Sequence, residues 1–312
     1  MADSSGNFAS VEREIPEYDG IPPVITLEGG SEIRVPVGTE FVEPGYSALD
    51  DVAGDLTDQV TVDGTVDGNT PGLYTLTYSV SDGFENLGQV TRSVIVEAKE
   101  RPQVVIPEGK TVYLTFDDGP GPYTDELLDV LDRYGVKATF FVVGRGHKAE
   151  MQRIVEEGHS IAIHSITHDY KQIYASPEAY FDDILGMQQI IYDHTGVMTT
   201  LMRFPGGSSN MVSHFNKGIM TYLTEAVQDA GFQYFDWNVD SNDAGGAKTA
   251  DEVFENVTEG IRNHRTSVVL QHDIHHFSVQ AVERIIQWGL DNGYTFLPLE
   301  PSSYGSHHSI NN

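Results

Sequence analysis

Val112-Tyr113-Leu114-Thr115-Phe116-Asp117-Asp118-Gly119-Pro120 joins a short apolar run to two adjacent carboxylates and a Gly-Pro break. A run of this length, rich in β-branched and aromatic residues, reads as a buried strand. Six more such runs follow, at Ala138–Val143, Ser160–His164, Thr200–Phe204, Gln233–Val239, Ser267–Gln271 and Tyr294–Pro298. Amphipathic stretches lie between them. Thr124 is expected to cap the first, which has Leu127, Leu128 and Leu131 on one face. The others are Lys148–Glu157, Pro177–Thr195, Lys217–Ala230, Thr249–Asn263 and Val279–Asn292. This rhythm predicts an α/β fold with a parallel sheet. Roughly seven repeats suggest a (β/α) barrel one strand short of the usual eight, with an open doubly wound sheet as the alternative. In either fold the chemistry belongs at the carboxyl ends of the strands.

Upstream the texture changes. Residues 1–22 are polar and Pro-punctuated and read as a tail or linker. From 23 to 98 the pattern is all-β, clearest in Leu73–Ser81, where Tyr74, Leu76, Tyr78 and Val80 alternate with Thr and Ser. Asp82-Gly83 marks a turn before the next strand, Val90–Val96. The segment suits a small β-sandwich. Residues 99–110 read as a linker, 111–300 as the barrel and 301–312 as a polar tail.

The chain has 312 residues, 18 Lys+Arg against 47 Asp+Glu, and a net charge of −29. Such a surface repels phosphate, so nucleic acid is excluded as a partner. No apolar run reaches the roughly 18 residues of a membrane helix. Cysteine is absent, which excludes disulfides, a thiol nucleophile and thiolate metal sites. Met1-Ala2-Asp3-Ser4-Ser5-Gly6 lacks the basic and apolar regions of a signal peptide. The sequence is therefore read as the mature region of a secreted or cell-surface protein, and as a monomer.

The predicted strand ends carry Asp117 and Asp118, then His164 with His168 four residues on, Arg203, Asp240 and Asp243, and His272 with Asp273. A helical or tight-turn backbone would put both imidazoles on one side, within reach of one ion. Two imidazoles and one carboxylate leave a position open, the pattern of a catalytic zinc. A turn carboxylate is the plain reading of either Asp before Gly119-Pro120. As a pair they can divide labour, one holding a metal and the other taking a proton from water, with the metal and Arg203 balancing their charge.

Thr115-Phe116-Asp117-Asp118-Gly119, His164-Ser165-Ile166-Thr167-His168, Arg203-Phe204-Pro205-Gly206-Gly207, Asp240-Ser241-Asn242-Asp243 and Val269-Leu270-Gln271-His272-Asp273 resemble, in order, the five motifs of the polysaccharide deacetylases, the NodB-homology family 4 carbohydrate esterases. That resemblance implies a distorted barrel of about seven strands. It also implies Asp117 as general base, Asp118, His164 and His168 as ligands of a divalent metal, usually Zn2+, and Arg203 as the residue orienting the base. His272 would be the general acid, tuned by Asp240. Leu270 would wall the acetyl pocket, and Pro205 would be followed by an oxyanion donor, the Gly206 amide. Two departures stand out: Ala244 where an aromatic is usual, and Gly206 where Tyr is common. Trp237 reads as a core residue. Pro22–Leu27, Gly38–Gly45, Asp55-Leu56-Thr57 and Pro71–Tyr74 resemble bacterial Ig-like repeats found beside cell-surface enzymes.

The function expected is removal of N-acetyl groups from N-acetylglucosamine units of cell-wall peptidoglycan. Chitin or chito-oligosaccharide deacetylation and xylan O-acetyl ester hydrolysis are the alternatives. A non-catalytic surface glycan-binding protein is the reading from a different class, and it gives no reason to hold Asp117, Asp118, His164, His168 and His272 together.

Overall fold

The alternation along Gly72–Ser81 produces a strand that buries Leu76, Tyr78 and Val80 and leaves the residues between them half-buried or exposed. The computed structural model describes residues 19–97, 102–145 and 147–312. The chain separates into two units, residues 1–98 and 99–312. Residues 1–18 of the expected polar lead-in and residues 99–101 of the expected linker lie outside the described residues.

The first unit contains β1 (Val24–Leu27), β2 (Glu32–Pro36), β3 (Tyr46–Asp50), β4 (Gly54–Asp55), β5 (Thr61–Asp63), β6 (Gly72–Ser81) and β7 (Leu87–Glu97). Strands β1, β3 and β4 form one antiparallel sheet, and the second sheet runs β2-β7-β6-β5. Ala48, Leu56, Leu76, Tyr78, Val80 and Val94 are buried, as the inward faces of a two-layer sandwich must be. Arg92 is also fully buried, its charge met by Glu43 at 2.8 Å and by the Glu28 carbonyl.

The second unit contains β8 (Lys110–Asp117), α1 (Thr124–Tyr134), β9 (Thr139–Val143), α2 (Lys148–Glu156), β10 (Ser160–Ser165), α3 (Tyr170–Ile173), α4 (Pro177–Thr195), β11 (Leu201–Met202), α5 (Ile219–Asp229), β12 (Gln233–Tyr234), β13 (Val239–Asp240), α6 (Ala250–Arg262), β14 (Thr266–His272), α7 (His276–Asp291) and β15 (Tyr294–Phe296). The sheet order is β12-β11-β10-β9-β8-β14-β13, with every neighbour parallel. Strands β8 and β9 are buried almost throughout, because helices cover the outer face and the barrel interior fills the other.

Two features distort the barrel. The run Gln233–Val239, expected as one strand, is broken. Its first half pairs with β11 and its second half with β14, the two ends of the open sheet. This one segment therefore closes the barrel. Asn238 clamps the closure, accepting from Val268 N–H and donating to the Thr266 carbonyl. The second feature is β15, which pairs with Lys110–Val112 of β8, while β9 pairs with Thr115–Asp117 further along. Because β14 lines the whole other edge of β8, β15 and β9 share one edge.

The stretch 301–312, expected as a polar tail, is instead docked on its own unit. Ser302 accepts from Val105 N–H, the His307 ring stacks on Tyr234 with centroids 4.0 Å apart, and His308 N–H donates to Asp236. Asn312 accepts from Gly218 N–H and Thr221 N–H at the start of α5. Polarity in the sequence marks these residues as hydrogen-bonding groups, and their partners lie far away along the chain. Thr124 likewise does not cap α1. Its hydroxyl accepts from Gly121 N–H and donates to Asp273.

Replacing Asn238 with Ala strands a backbone donor and an acceptor at the closure. We expect a loss of about 1–3 kcal/mol in the urea-induced unfolding of the barrel unit, with little change in that of the sandwich.

Candidate active site

Parallel strands deliver their carboxyl ends to one rim, and the site residues are assembled there. Asp117 ends β8, His164 is the penultimate residue of β10, Arg203 follows β11 directly, and His272 ends β14. Asp117 and His272 are register partners on adjacent strands.

Arg203 is the centre of the arrangement. Its guanidinium is fully buried and donates to Asp117 Oδ1 at 2.7 Å and Thr115 Oγ1 at 2.8 Å through Nη1. Nε donates to the Phe235 carbonyl and Nη2 to the Asp236 carbonyl. The plane lies 4.1 Å from the Phe141 ring centroid and 5.7 Å from that of Trp237, which is half-buried. A buried charge needs this degree of satisfaction. The result is that one oxygen of Asp117 is fixed and Oδ2 is left for other work.

Asp118, His164 and His168 form a compact group. Asp118 Oδ1 lies 3.5 Å from His164 Nε2 and 3.4 Å from His168 Nε2. That oxygen is buried and has no hydrogen-bond partner. His164 Nδ1 sits 2.9 Å from the Arg203 carbonyl, which can only accept, so Nδ1 carries a proton and Nε2 is the nitrogen turned to Asp118. Burial opposes the charge on Asp118, but His164 and His168, with His272 and Arg145, hold its carboxyl below the usual range. A buried carboxylate oxygen without a donor, set between two imidazole nitrogens, is a donor set that fits one divalent cation.

The spacing of the two histidines is realised by a turn. His168 adopts a left-handed φ of 54°, and its N–H donates to Ser165 Oγ. Asp183, reaching over from α4, accepts from Ile166 N–H and Thr167 N–H. Asp118 is also left-handed, at φ 69°. Asp and His are among the non-glycine residues that adopt this conformation most readily.

The sequence reading assigned Asp240 to His272. The structure puts Asp243 there. Asp243 Oδ1 lies 2.7 Å from His272 Nδ1, and its Oδ2 accepts from His272 N–H and Ser278 Oγ. Asp240 is exposed and accepts from Asn242 N–H. A left-handed turn at Asn242 (φ 59°) carries the chain inward after β13, so the fourth residue of Asp240-Ser241-Asn242-Asp243 is the buried one. Burial alone would lower the His272 pKa, but Asp243 first, then Asp117 and Asp118, raise it to about 9.

Leu270 is buried on β14 beside Asp240 of β13. The Pro205 carbonyl is held by Tyr174 Oη at 2.8 Å. Gly206, at φ 78°, has an exposed backbone whose N–H donates to no acceptor among the described residues. A Cβ built on Gly206 would lie 3.7 Å from the Tyr170 ring, so an aromatic from α3 stands beside this position.

Sequence reasoning gave several supports no role. Asp236 accepts from Ser208 N–H and Ser208 Oγ and shapes the loop after Arg203. Asp273 is fully buried against Gly119, where an added Cβ would come within 2.2 Å of its Oδ1, and burial raises its carboxyl to about 7. Its place directly after His272 was the available signal. Nothing in the sequence distinguishes Asp236 or Asp183 from other carboxylates.

The fold and this site together define a distorted (β/α) barrel whose rim gathers Asp117, His272 and an Asp–His–His group fit to hold a cation. The family described as Polysaccharide deacetylase matches residues 105–235, and Bacterial surface protein, Ig-like domain matches residues 25–96. A peptidoglycan-N-acetylglucosamine deacetylase of Bacillus cereus is 35% identical over 227 residues, covering 65% of this chain and 78% of that protein. Among solved structures, the catalytic domain of peptidoglycan N-acetylglucosamine deacetylase from Eubacterium rectale is 53% identical, with a TM-score of 0.66, covering 67% of this chain and 97% of that one. A polysaccharide deacetylase of Bacillus cereus is 34% identical at a TM-score of 0.54, covering 65% and 96%. The chain belongs to the polysaccharide deacetylases: it is an enzyme that hydrolyses amide bonds of acetylated polysaccharide, and it carries a bacterial Ig-like domain ahead of the barrel.

Exchanging Asp243 for Asn removes the main group that keeps His272 protonated. A required acid is lost as pH rises through its pKa, so lowering that pKa moves the basic limb of the kcat/KM profile to lower pH. We expect this shift with a fall of about tenfold or more at pH 8. Asp240→Asn should leave both limb and rate close to wild type. A pH series of acetate release on the two variants checks both.

Proposed function

We propose that the enzyme removes N-acetyl groups from N-acetylglucosamine residues of cell-wall peptidoglycan, outside the cell, as a monomer. The observation that carries this reading is the arrangement at the rim: Asp118, His164 and His168 converge beside an Asp117 held by Arg203, with His272 on the neighbouring strand. The 53% identity to the Eubacterium rectale catalytic domain supports the choice of polymer.

Asp118, His164 and His168 would hold a divalent ion, with Zn2+ the best match to two imidazoles and one carboxylate. When bound, such an ion polarises an acetamide carbonyl and acidifies water. The chain's own groups do the rest. Asp117 Oδ2 takes a proton from water as the oxygen adds to the acetamide carbon, while Arg203 keeps Oδ1 in place. The Gly206 N–H donates to the developing oxyanion. His272, held through Nδ1 by Asp243, delivers a proton from Nε2 to the sugar nitrogen, which leaves as the amine. The products are acetate and a glucosamine unit.

An open groove of about 640 Å3 adjoins His168. Tyr170 and Phe215 line it, and Arg145 and Lys171 outnumber its one carboxylate, Asp169, whose Oδ1 is taken by the Lys171 and Gln172 N–H groups. This suits a polymer bearing carboxylates. Chitin oligomers and acetylated xylan lack the peptide carboxylates and should be poorer substrates.

Incubation with peptidoglycan fragments, chitin oligomers and acetylated xylan, followed by mass spectrometry, tests the reading. Loss of one acetyl mass should be readiest from peptidoglycan fragments, and preferential action on xylan would overturn it. Asp117→Asn should reduce turnover by about 10²-fold or more, and chelation should abolish it until Zn2+ is restored.

A further inference from the structure

Away from the deacetylase site, three carboxylates gather in the Ig-like unit. Asp19, just ahead of β1, and Asp50 and Asp51, at the turn between β3 and β4, bring one oxygen each to within 4.8 Å of one another. Acidic clusters are ordinary on a protein surface, but this one is partly interior. Asp19 is only 5% exposed. Its Oδ1 accepts from Ile21 N–H, whereas Oδ2 is buried with no partner. Asp50 repeats the pattern, with Oδ1 accepting from Val52 N–H and Ala53 N–H and Oδ2 buried and unpartnered. Among the described residues no Lys, Arg or His pairs with any of the three.

Buried carboxylate oxygens without donors are costly, and like charges at this distance repel. A cation removes both costs. The donors are all hard oxygens, with no imidazole or thiolate, which disfavours zinc and suits Ca2+. Asp51 is exposed, so water can complete the shell from that side.

We propose that Asp19, Asp50 and Asp51 form a calcium site in the Ig-like domain. The ion ties the chain entering β1 to the β3–β4 turn. Asn86 already holds the Asp19 carbonyl from a third segment, so binding fixes the start of the domain. Calcium thereby stiffens the point where preceding chain meets the sandwich.

The test uses the full chain, freed of metal by chelation and then titrated with CaCl2 by calorimetry and by thermal unfolding. One equivalent should bind with an affinity of about 10⁻⁴–10⁻³ M, typical of extracellular modules, and raise the unfolding temperature of the Ig-like unit. Asp19→Asn and Asp51→Asn should each weaken binding by about tenfold or more. Asp118→Asn, at the other metal group, should bind Ca2+ as wild type does. Deacetylase activity of Asp51→Asn should be unchanged. Asp51 is exposed, so its variant remains informative should Asp19→Asn fail to fold. The proposal is overturned by an absence of calcium heat up to about 10 mM, by wild-type affinity in Asp51→Asn, or by loss of the signal in Asp118→Asn.

Discussion

A guanidinium with no access to water organises the barrel's working end. Arg203 reaches from the loop after β11 across the barrel to Thr115 and Asp117 on β8, and to the carbonyls of Phe235 and Asp236 in the break between β12 and β13. Each contact satisfies a charge that would otherwise be untenable in the interior. The same contacts connect three distant segments of chain and orient one carboxylate. Stability and chemistry are coupled at this residue, because loosening it would both strand a buried charge and free Asp117 to turn.

The carboxylates around this centre occupy different environments. Asp117 is ion-paired to Arg203, Asp118 faces two imidazoles with one oxygen unpartnered, Asp243 is hydrogen-bonded to His272, and Asp273 is buried beneath Gly119 with its carboxyl raised to about 7. His272 is raised to about 9 against its own burial because negative groups surround it. In the reaction proposed above, this spread would let one rim supply a base, a cation-binding group and an acid at a single pH.

Much of this was legible before any fold was known. The apolar runs marked the strands within a residue or two, except where Gln233–Val239 was read as one strand. That run is rich in aromatic and β-branched residues (Tyr234, Phe235, Trp237, Val239), and pairing with two opposite sheet edges breaks it. Asp117, Asp118, His164, His168, Arg203 and His272 were all singled out, since parallel strands place their carboxyl ends together. Asp240 was assigned to His272 through the family resemblance, and the strand-end reading set it beside Asp243 without choosing between them. The left-handed turn at Asn242, which exposes one and buries the other, leaves no mark in a hydrophobic pattern. The 301–312 segment was read as a tail because its residues are polar, and its partners on Tyr234, Asp236 and α5 lie some tens of positions away.

By itself, then, the order of residues determined the two-part organisation, the alternation of strands and helices, and which chemically capable groups fall at strand ends. These depend on local period and on residue type, which a linear string records directly. Tertiary structure alone decided which carboxylate meets His272, which oxygen of Asp118 is left without a donor, how the barrel closes, and that Asp19 joins Asp50 and Asp51. Those outcomes depend on distances between segments remote along the chain, and only packing brings such segments together.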